Sequence, residues 1–279
     1  MTQDTGPATG PAAGPAAGPA TGPAAGPATG PAAGPVAARR ARRLAELASF
    51  GPFFAVEVHP PGSPLRAPWQ LLGELTGSAD ALAARIGEVR ERLAAAAGCQ
   101  AAAVEYRVAA SVAQLGLCAR LLSPVLGAAV GGWALSAGTA QARWVPALGG
   151  PFRLSLPETA AGAGADACED GAAACLELLA GPIAQIIRAV EAMAVSPQVL
   201  WGNVASAANG AVTMIVTARP DLVAAAASAA ATVLRYPALA GTYQGNPGAG
   251  FRRRNCCLIY RLSPPGPDRY CGDCVLTTT

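Results

Sequence analysis

From Ser78 the chain takes on a helical period. Leu82, Ile86, Val89 and Leu93 share one face, Arg85, Glu88 and Arg92 the other, and Gly98 is placed as the stop. The stretch "QAAAVEYRVAASVAQLGLCARLL" continues the theme, with Val104, Val108, Val112 and Leu115 on one stripe. Further along, Pro182 after Gly181 reads as a first helical position followed by Ile183, Ile186, Ile187 and Val190. Ser196-Pro197 repeats that start for a helix through Val216, and Asp221 after Pro220 is expected to cap an Ala-rich helix toward Leu234. Period-two patterning is rarer. "FFAVEVH" (Phe53 to His59) alternates as a strand would, and Pro60, Pro61, Pro64 and Pro68 then force an extended loop. "RWVPALGGPFRLSLPE" carries Gly149-Gly150 between two short alternating runs and predicts a hairpin. "YPALAGTYQGNPGAG" reads as loop, and "FRRRNCCLIYRL" as β-prone from Cys257 to Leu262, ahead of a turn at "SPPGPD". The pattern predicts a mainly α-helical, α+β chain with a small antiparallel hairpin.

Composition changes this picture at the N-terminus. From Gly6 to Val36 the chain repeats Gly-Pro-Ala followed by Ala or Thr. The period of four lacks the glycine at every third position that a collagen helix needs, so the repeat reads as a disordered tail. Three segments are expected: 1–43, repeat tail and basic linker; 44–250, a mainly helical domain; and 251–279, the C-terminal cysteine segment. The 52% apolar content is inflated by Ala, and every basic residue is Arg.

A net charge of +3 in 279 residues is too small for the dense basic face of a nucleic-acid binder, so no nucleic-acid partner is expected. The segment 251–279 holds Arg252, Arg253, Arg254, Arg261 and Arg269 against Asp268 and Asp273, a balance equal to the whole formal excess. The uncharged stretches Leu121 to Ala142 and Ala192 to Ala218 are long enough to span a bilayer. Each is broken by proline and diluted by small or polar residues, so both read as buried helices and no transmembrane span is expected. No secretory signal is recognisable at Met1, and Arg39-Arg40 with Arg42-Arg43 reads as a solvated basic helix start. A cytoplasmic location follows, or a peripheral one at the inner face of the membrane.

The chemistry-bearing residues are few. The single histidine, His59, precedes two prolines and reads as a solvated loop residue, and "GNPGAG" (Gly245 to Gly250) is neither a P-loop nor a dinucleotide fingerprint. Cys99, Cys118, Cys168 and Cys175 are scattered through helical surroundings, where inert buried thiols are the expectation. Cys256, Cys257, Cys271 and Cys274 instead fall within nineteen residues. Disulfides, a structural zinc or an iron–sulfur cluster could each use them. A reducing cytosol disfavours disulfides, and adjacent cysteines in extended backbone point to opposite sides and suit one tetrahedral ion badly. A two-iron cluster, wider and needing one thiolate pair per iron, tolerates the irregular pairing better, and zinc stays open beside it.

The tail "CCLIYR…CGDC" resembles the FhuF-type ferric-siderophore reductases, in which a Cys-Cys pair followed by Cys-x-x-Cys ligates a 2Fe–2S cluster. "SVAQLGLCARLLSPVLG", "VPAL", "LWGNVASA" and "PALAGT" are similar to that family in the same order, so the likeness covers roughly Ala101 to Cys274. Thirteen residues separate Cys257 from Cys271, a longer spacing than the family pattern has, with the extra length in turn-forming "SPPGPD". The resemblance implies a C-terminal 2Fe–2S-binding segment ligated by Cys256, Cys257, Cys271 and Cys274. It further implies one-electron reduction of a ferric siderophore, and an electron-donor protein such as a ferredoxin as partner. Arg252, Arg253 and Arg254 are expected to tune the centre or attract an anionic chelate, and Trp201 and Asn203 to line a substrate cleft. The rival reading is a non-enzymatic siderophore-binding or electron-carrier protein stapled by zinc or an iron–sulfur cluster.

Overall fold

The computed structural model describes residues 34–138, 140–147, 150–161, 167–248, 250–262 and 270–276. The chain divides into two units, Met1–Gly34 and Pro35–Thr279, and the second is described below. Most of the Gly-Pro-Ala repeat, Gly149 of the expected hairpin turn, the Cys168 side chain and "SPPGPD" lie outside the described residues.

The first helix, α1 (Pro35–Ser49), begins ahead of the boundary expected at residue 44, because Leu47 on its inner face is buried in the core. Strand β1 (Glu57–His59) is shorter than "FFAVEVH" predicts, since Pro52 to Phe54 form a turn. After the proline loop come β2 (Gln70–Leu71), the short α2 (Glu74–Gly77) and α3 (Ala79–Ala97). The bounds of α3 follow its signals. Ser78 accepts from the Ala81 amide, and Gly98 stops the helix at φ 65°, a backbone conformation that glycine adopts without penalty.

Helix α4 (Tyr106–Val130) is the spine of the molecule. It packs most extensively on the later helix Pro197–Ala218 and also meets α3. Leu117, Leu121, Leu122 and Val125 are fully buried along it, each contributing about 2 kcal/mol of transfer free energy. One charge sits inside this spine. Arg120, 2% exposed, donates to the carbonyls of Phe152 (2.8 Å), Phe53 (2.9 Å) and Ala55 and so ties two irregular segments to the helix.

The expected hairpin is present as β3 (Arg143–Val145) against β4 (Arg153–Pro157), pairing Trp144 with Leu154. β2 adds antiparallel to β3, and β1 adds parallel to β4, giving the order β1-β4-β3-β2. His59 is a correction. It lies on β1, buried, with Nδ1 2.8 Å from Ser155 Oγ on β4. Neighbouring prolines suggest a loop, whereas strand pairing with a chain segment 96 residues away buries the ring.

Helix α5 (Ala167–Leu178) runs through a widened turn, Leu179–Ile183, into α6 (Ala184–Glu191). Pro182 therefore does not start a new helix; the widened turn takes up a residue with no N–H to donate. Helix α7 (Pro197–Ala218) starts at Pro197 as its sequence predicts. Asp221 does not cap α8 (Val223–Leu234). Its carboxylate is held by Arg219 at 2.6 and 2.8 Å instead.

Beyond α8, β5 (Tyr243–Gln244) emerges from the expected loop and pairs antiparallel with β6 (Arg252–Arg253). The stretch from Cys257 to Leu262 is not a strand. Leu258 has φ 72°, Ser111 Oγ donates to the Cys257 carbonyl, and the Leu258 amide donates to Cys256 Sγ. Two backbone groups that a ladder would use are thus engaged elsewhere, one by a distant helix and one by the adjacent thiol, and Ile259–Leu262 closes as a short 3-10 turn.

The expectation that no helix qualifies as a membrane span is overturned. Among the described residues, three helical stretches, Tyr106–Val130, Gly171–Glu191 and Pro197–Ala218, are long and apolar enough to cross a bilayer by length and composition. Proline, small and polar residues lower the hydropathy of each without taking it below that of a span. Within the fold, 78%, 50% and 56% of their most apolar windows are buried against protein.

Candidate functional site

The site is built on the edge of the β5–β6 ribbon. Alternation along β6 turns Arg253 inward and leaves Arg254 exposed and Arg252 half-buried. The Arg253 amide donates to the Asp273 carbonyl at 3.0 Å, and the Arg254 amide to Thr242 at 2.8 Å. The Cys-x-x-Cys turn, closed by Cys274 N–H donating to Cys271 O at 3.0 Å, is thereby fastened to β6. The Cys-Cys pair follows β6 directly, so one strand carries both halves of the motif.

The two halves of the motif meet at one pair of thiols. Cys257 Sγ and Cys271 Sγ stand 3.6 Å apart, with Cys257 and Cys274 buried and Cys256 and Cys271 half-buried. Cys256 Sγ accepts from the Leu258 amide and Cys274 Sγ from the Leu276 amide, each at 3.3 Å, bonds that stabilise sulfur carrying negative charge. In the Cys257–Cys271 pair, Cys257 ionises first. The Cys271 thiol donates to it, and the Ile259 amide and the Arg253 charge add to the lowering, against its burial. That contact and its burial hold Cys271 as the protonated partner, while burial raises Cys256.

Among the described residues no three of His, Cys, Asp and Glu converge tightly enough to hold a single metal ion. As a donor set, two thiol pairs, which touch at Cys257 and Cys271, match the one-pair-per-iron requirement of a binuclear, sulfide-bridged group better than that of one tetrahedral ion.

Arg253 is the least expected feature of the site. It is 1% exposed. Its Nη2 donates to Asn203 Oδ1 at 2.6 Å, its Nε donates to the Asn255 carbonyl at 3.0 Å, and its Nη1 is buried with no hydrogen-bond partner. Gly202 makes room for it, since a Cβ there would stand 3.3 Å from Nη2. Asn203, fully buried on α7, is the hub. Its Nδ2 donates to Ser111 O at 3.1 Å, Ser111 Oγ at 3.0 Å and Gln114 Oε1 at 2.8 Å. Ser111 in turn donates to the Cys257 carbonyl at 3.0 Å. One polar chain therefore runs from α4 through α7 to both sides of the cysteine pocket.

The structure separates the predicted residues. The four cysteines and Arg253 come together. Asn203 reaches the site from below as a buried support and lines no cleft, and Trp201 packs its ring against Tyr236 at 5.7 Å. The arginine run is not one surface patch, because strand alternation buries its middle member. Ser111, Gln114 and Asn255 were not anticipated, although polar residues recurring in the apolar "SVAQLGL" stretch are the signal of a buried network.

An open groove of about 740 Å³ borders the Cys-x-x-Cys turn. Gly272 and Asp273 form one wall, and Asn209, Thr213 and Val223 with Phe251 the others. A second groove of about 450 Å³, lined by Arg39, Arg40, Arg43 and Glu158, contains no residue of the cysteine segment. No protein-family model, curated protein or solved structure matches the chain, so the likeness to the reductases rests on the quoted residues alone.

Proposed function

We propose that the chain is a 2Fe–2S ferric-siderophore reductase in which Cys256, Cys257, Cys271 and Cys274 hold the cluster. One observation carries this reading: the fold brings one thiol of the Cys-Cys pair, Cys257, to within 3.6 Å of one thiol of the Cys-x-x-Cys turn, Cys271, in a segment that also buries the Arg253 guanidinium. A bound 2Fe–2S group supplies single electrons at a potential set by nearby charge and hydrogen bonds. The chelated Fe(III) gains one electron from an external reductant and becomes Fe(II). No covalent bond forms, and the hard oxygen ligands then hold the softer ion less tightly.

The chain's own residues seat and orient. Ser111 fixes the Cys257 backbone, and the Leu258 and Leu276 amides donate to Cys256 and Cys274. The groove beside Gly272 and Asp273 offers the chelate a place next to the cysteine turn.

Anaerobically purified full-length protein is expected to be brown, with iron and sulfide in equal amounts, and to yield trapped Fe(II) from a ferric siderophore after reduction by dithionite. Serine at any of the four cysteines removes colour and turnover, and Cys99→Ser leaves both. Colourless zinc protein, or full colour in Cys256→Ser and Cys257→Ser, refutes the proposal. Colour without Fe(II) release points to the electron carrier instead.

A further inference from the structure

We infer that Arg253 is a positioning residue whose buried charge is matched to an anionic group held by the four cysteines and favours that group's reduced form. The inference rests on the iron–sulfur reading and goes beyond it, to the residue that sets the potential.

The first support is electrostatic. Arg253 is 1% exposed, and among the described residues no carboxylate forms an ion pair with it. Its side-chain partners, Asn203 Oδ1 and the Asn255 and Val199 carbonyls, are neutral. A guanidinium stays protonated at any accessible pH, and a buried cation without a counter-charge is strongly destabilising. The groups nearby that can carry negative charge are the Asp273 carboxylate, which forms no ion pair with Arg253, and the four thiols, two directly after Asn255 and two on either side of Asp273, the residues to whose carbonyls Arg253 Nε and the Arg253 amide donate.

Geometry is the second support. Nη1 is a buried donor left open while Nε and Nη2 are engaged, and buried donors in folded proteins are nearly always matched. The side chain is immobilised from several sides: by Asn203, by Asn255, by its own amide on Asp273, and by a glycine at 202 that lets α7 approach. A fork held so firmly presents the two N–H groups of Nη1 in fixed directions.

The consequence concerns redox balance. An oxidised 2Fe–2S group on four thiolates is a dianion, and the electron it accepts adds one negative charge. A fixed positive charge alongside stabilises the reduced form more than the oxidised form, which raises the potential.

The test uses full-length protein, with iron and sulfide content and the midpoint potential as readouts and circular dichroism as the check on folding. Arg253→Lys keeps the charge and is expected to load normally, with a redox equilibrium within about threefold of the parent. Arg253→Met is expected to shift that equilibrium at least tenfold toward the oxidised form, about 59 mV for one electron. Asn203→Asp leaves Arg253 in place but sets a carboxylate against Nη2, and is expected to shift the potential in the same direction.

A loaded Arg253→Met protein with the parental potential overturns the inference. If the Met variant loads no iron while the Lys variant loads normally, the charge is required for assembly and the inference stands. If both fold but neither loads, the side chain acts through shape and the inference falls. Wild-type protein without iron and sulfide fails the iron–sulfur reading itself, a result distinct from every variant outcome.

Discussion

Replacing Asn203 with Leu removes the hub of the polar chain while nearly conserving volume. Four groups lose a hydrogen bond: Arg253 Nη2, which keeps only a 3.5 Å contact to the Val199 carbonyl, Gln114 Oε1, and the Ser111 carbonyl and Oγ. A charged hydrogen bond contributes about 1.5–3 kcal/mol, and a buried acceptor left unpaired costs about 1–3 kcal/mol. Gln114 keeps its own donation to the Leu200 carbonyl at 3.2 Å, and Ser111 keeps the Cys257 carbonyl. The losses therefore overlap, and about 4 kcal/mol is expected in total. With a urea slope of about 2.5 kcal/mol per molar, the unfolding midpoint of the full-length chain falls by roughly 1.6 M. Thr213→Val on the same helix removes only an exposed hydroxyl bonded to the Asn209 carbonyl and is expected to change stability by less than about 0.5 kcal/mol. Combining Asn203→Leu with Ser111→Ala should be less than additive, with a coupling of about 1 kcal/mol or more. A midpoint change for Asn203→Leu no larger than that of Thr213→Val would show that the network has no energetic role and would refute the reasoning.

Arg120→Met leaves the buried Phe152 carbonyl and the partly buried Phe53 and Ala55 carbonyls without their shared donor; a loss of about 3 kcal/mol is expected in urea unfolding, and Arg120→Lys, a single-centre donor, should recover only part of it. For His59, burial and the nearby Arg143 charge lower the pKa, with Glu158 opposing, so the unfolded chain takes up a proton before the folded one does. Stability contributed by neutral His59 is complete above the unfolded pKa and falls as the medium is acidified from about pH 6.5 toward pH 5; His59→Gln should flatten that decline in pH-dependent unfolding, and an unchanged slope would count against it.

How much of this was legible in the sequence depended on how far each signal had to reach. The bounds of α3 follow from Ser78 and Gly98, and the β3–β4 pairing from two alternating runs around glycines, because turn and cap chemistry acts within a few residues. Asn203 and Arg253 were misjudged because their partners are far away in the chain. Asn203 bonds residues 92 and 89 positions away and Arg253 bonds one 50 positions away. From sequence, a polar residue in an apolar helix and the middle of an arginine run both read as solvent- or substrate-facing. Burial reverses both, and no local pattern records it. His59 failed in the same way. The expected strand from Cys257 to Leu262 had good composition but lost its backbone groups to Ser111 and to the adjacent thiol, a competition that propensity does not contain.

The network also constrains the three apolar helices, whatever solvent surrounds them. Ser111, Gln114 and Arg120 sit on Tyr106–Val130 and Asn203 on Pro197–Ala218. All are buried, and each bonds another protein group. A hydrocarbon surrounding would demand this arrangement even more strongly than water, since polar side chains on a span must face protein. The faces carrying Ser111 and Asn203 are therefore inward-facing in either case, and the cysteine segment is seated on them. Both residues stand within two turns of the start of their helices, Tyr106 and Pro197, an axial distance of about 9 Å. If these helices cross a bilayer, the cysteine pocket lies close to one boundary and not at mid-plane.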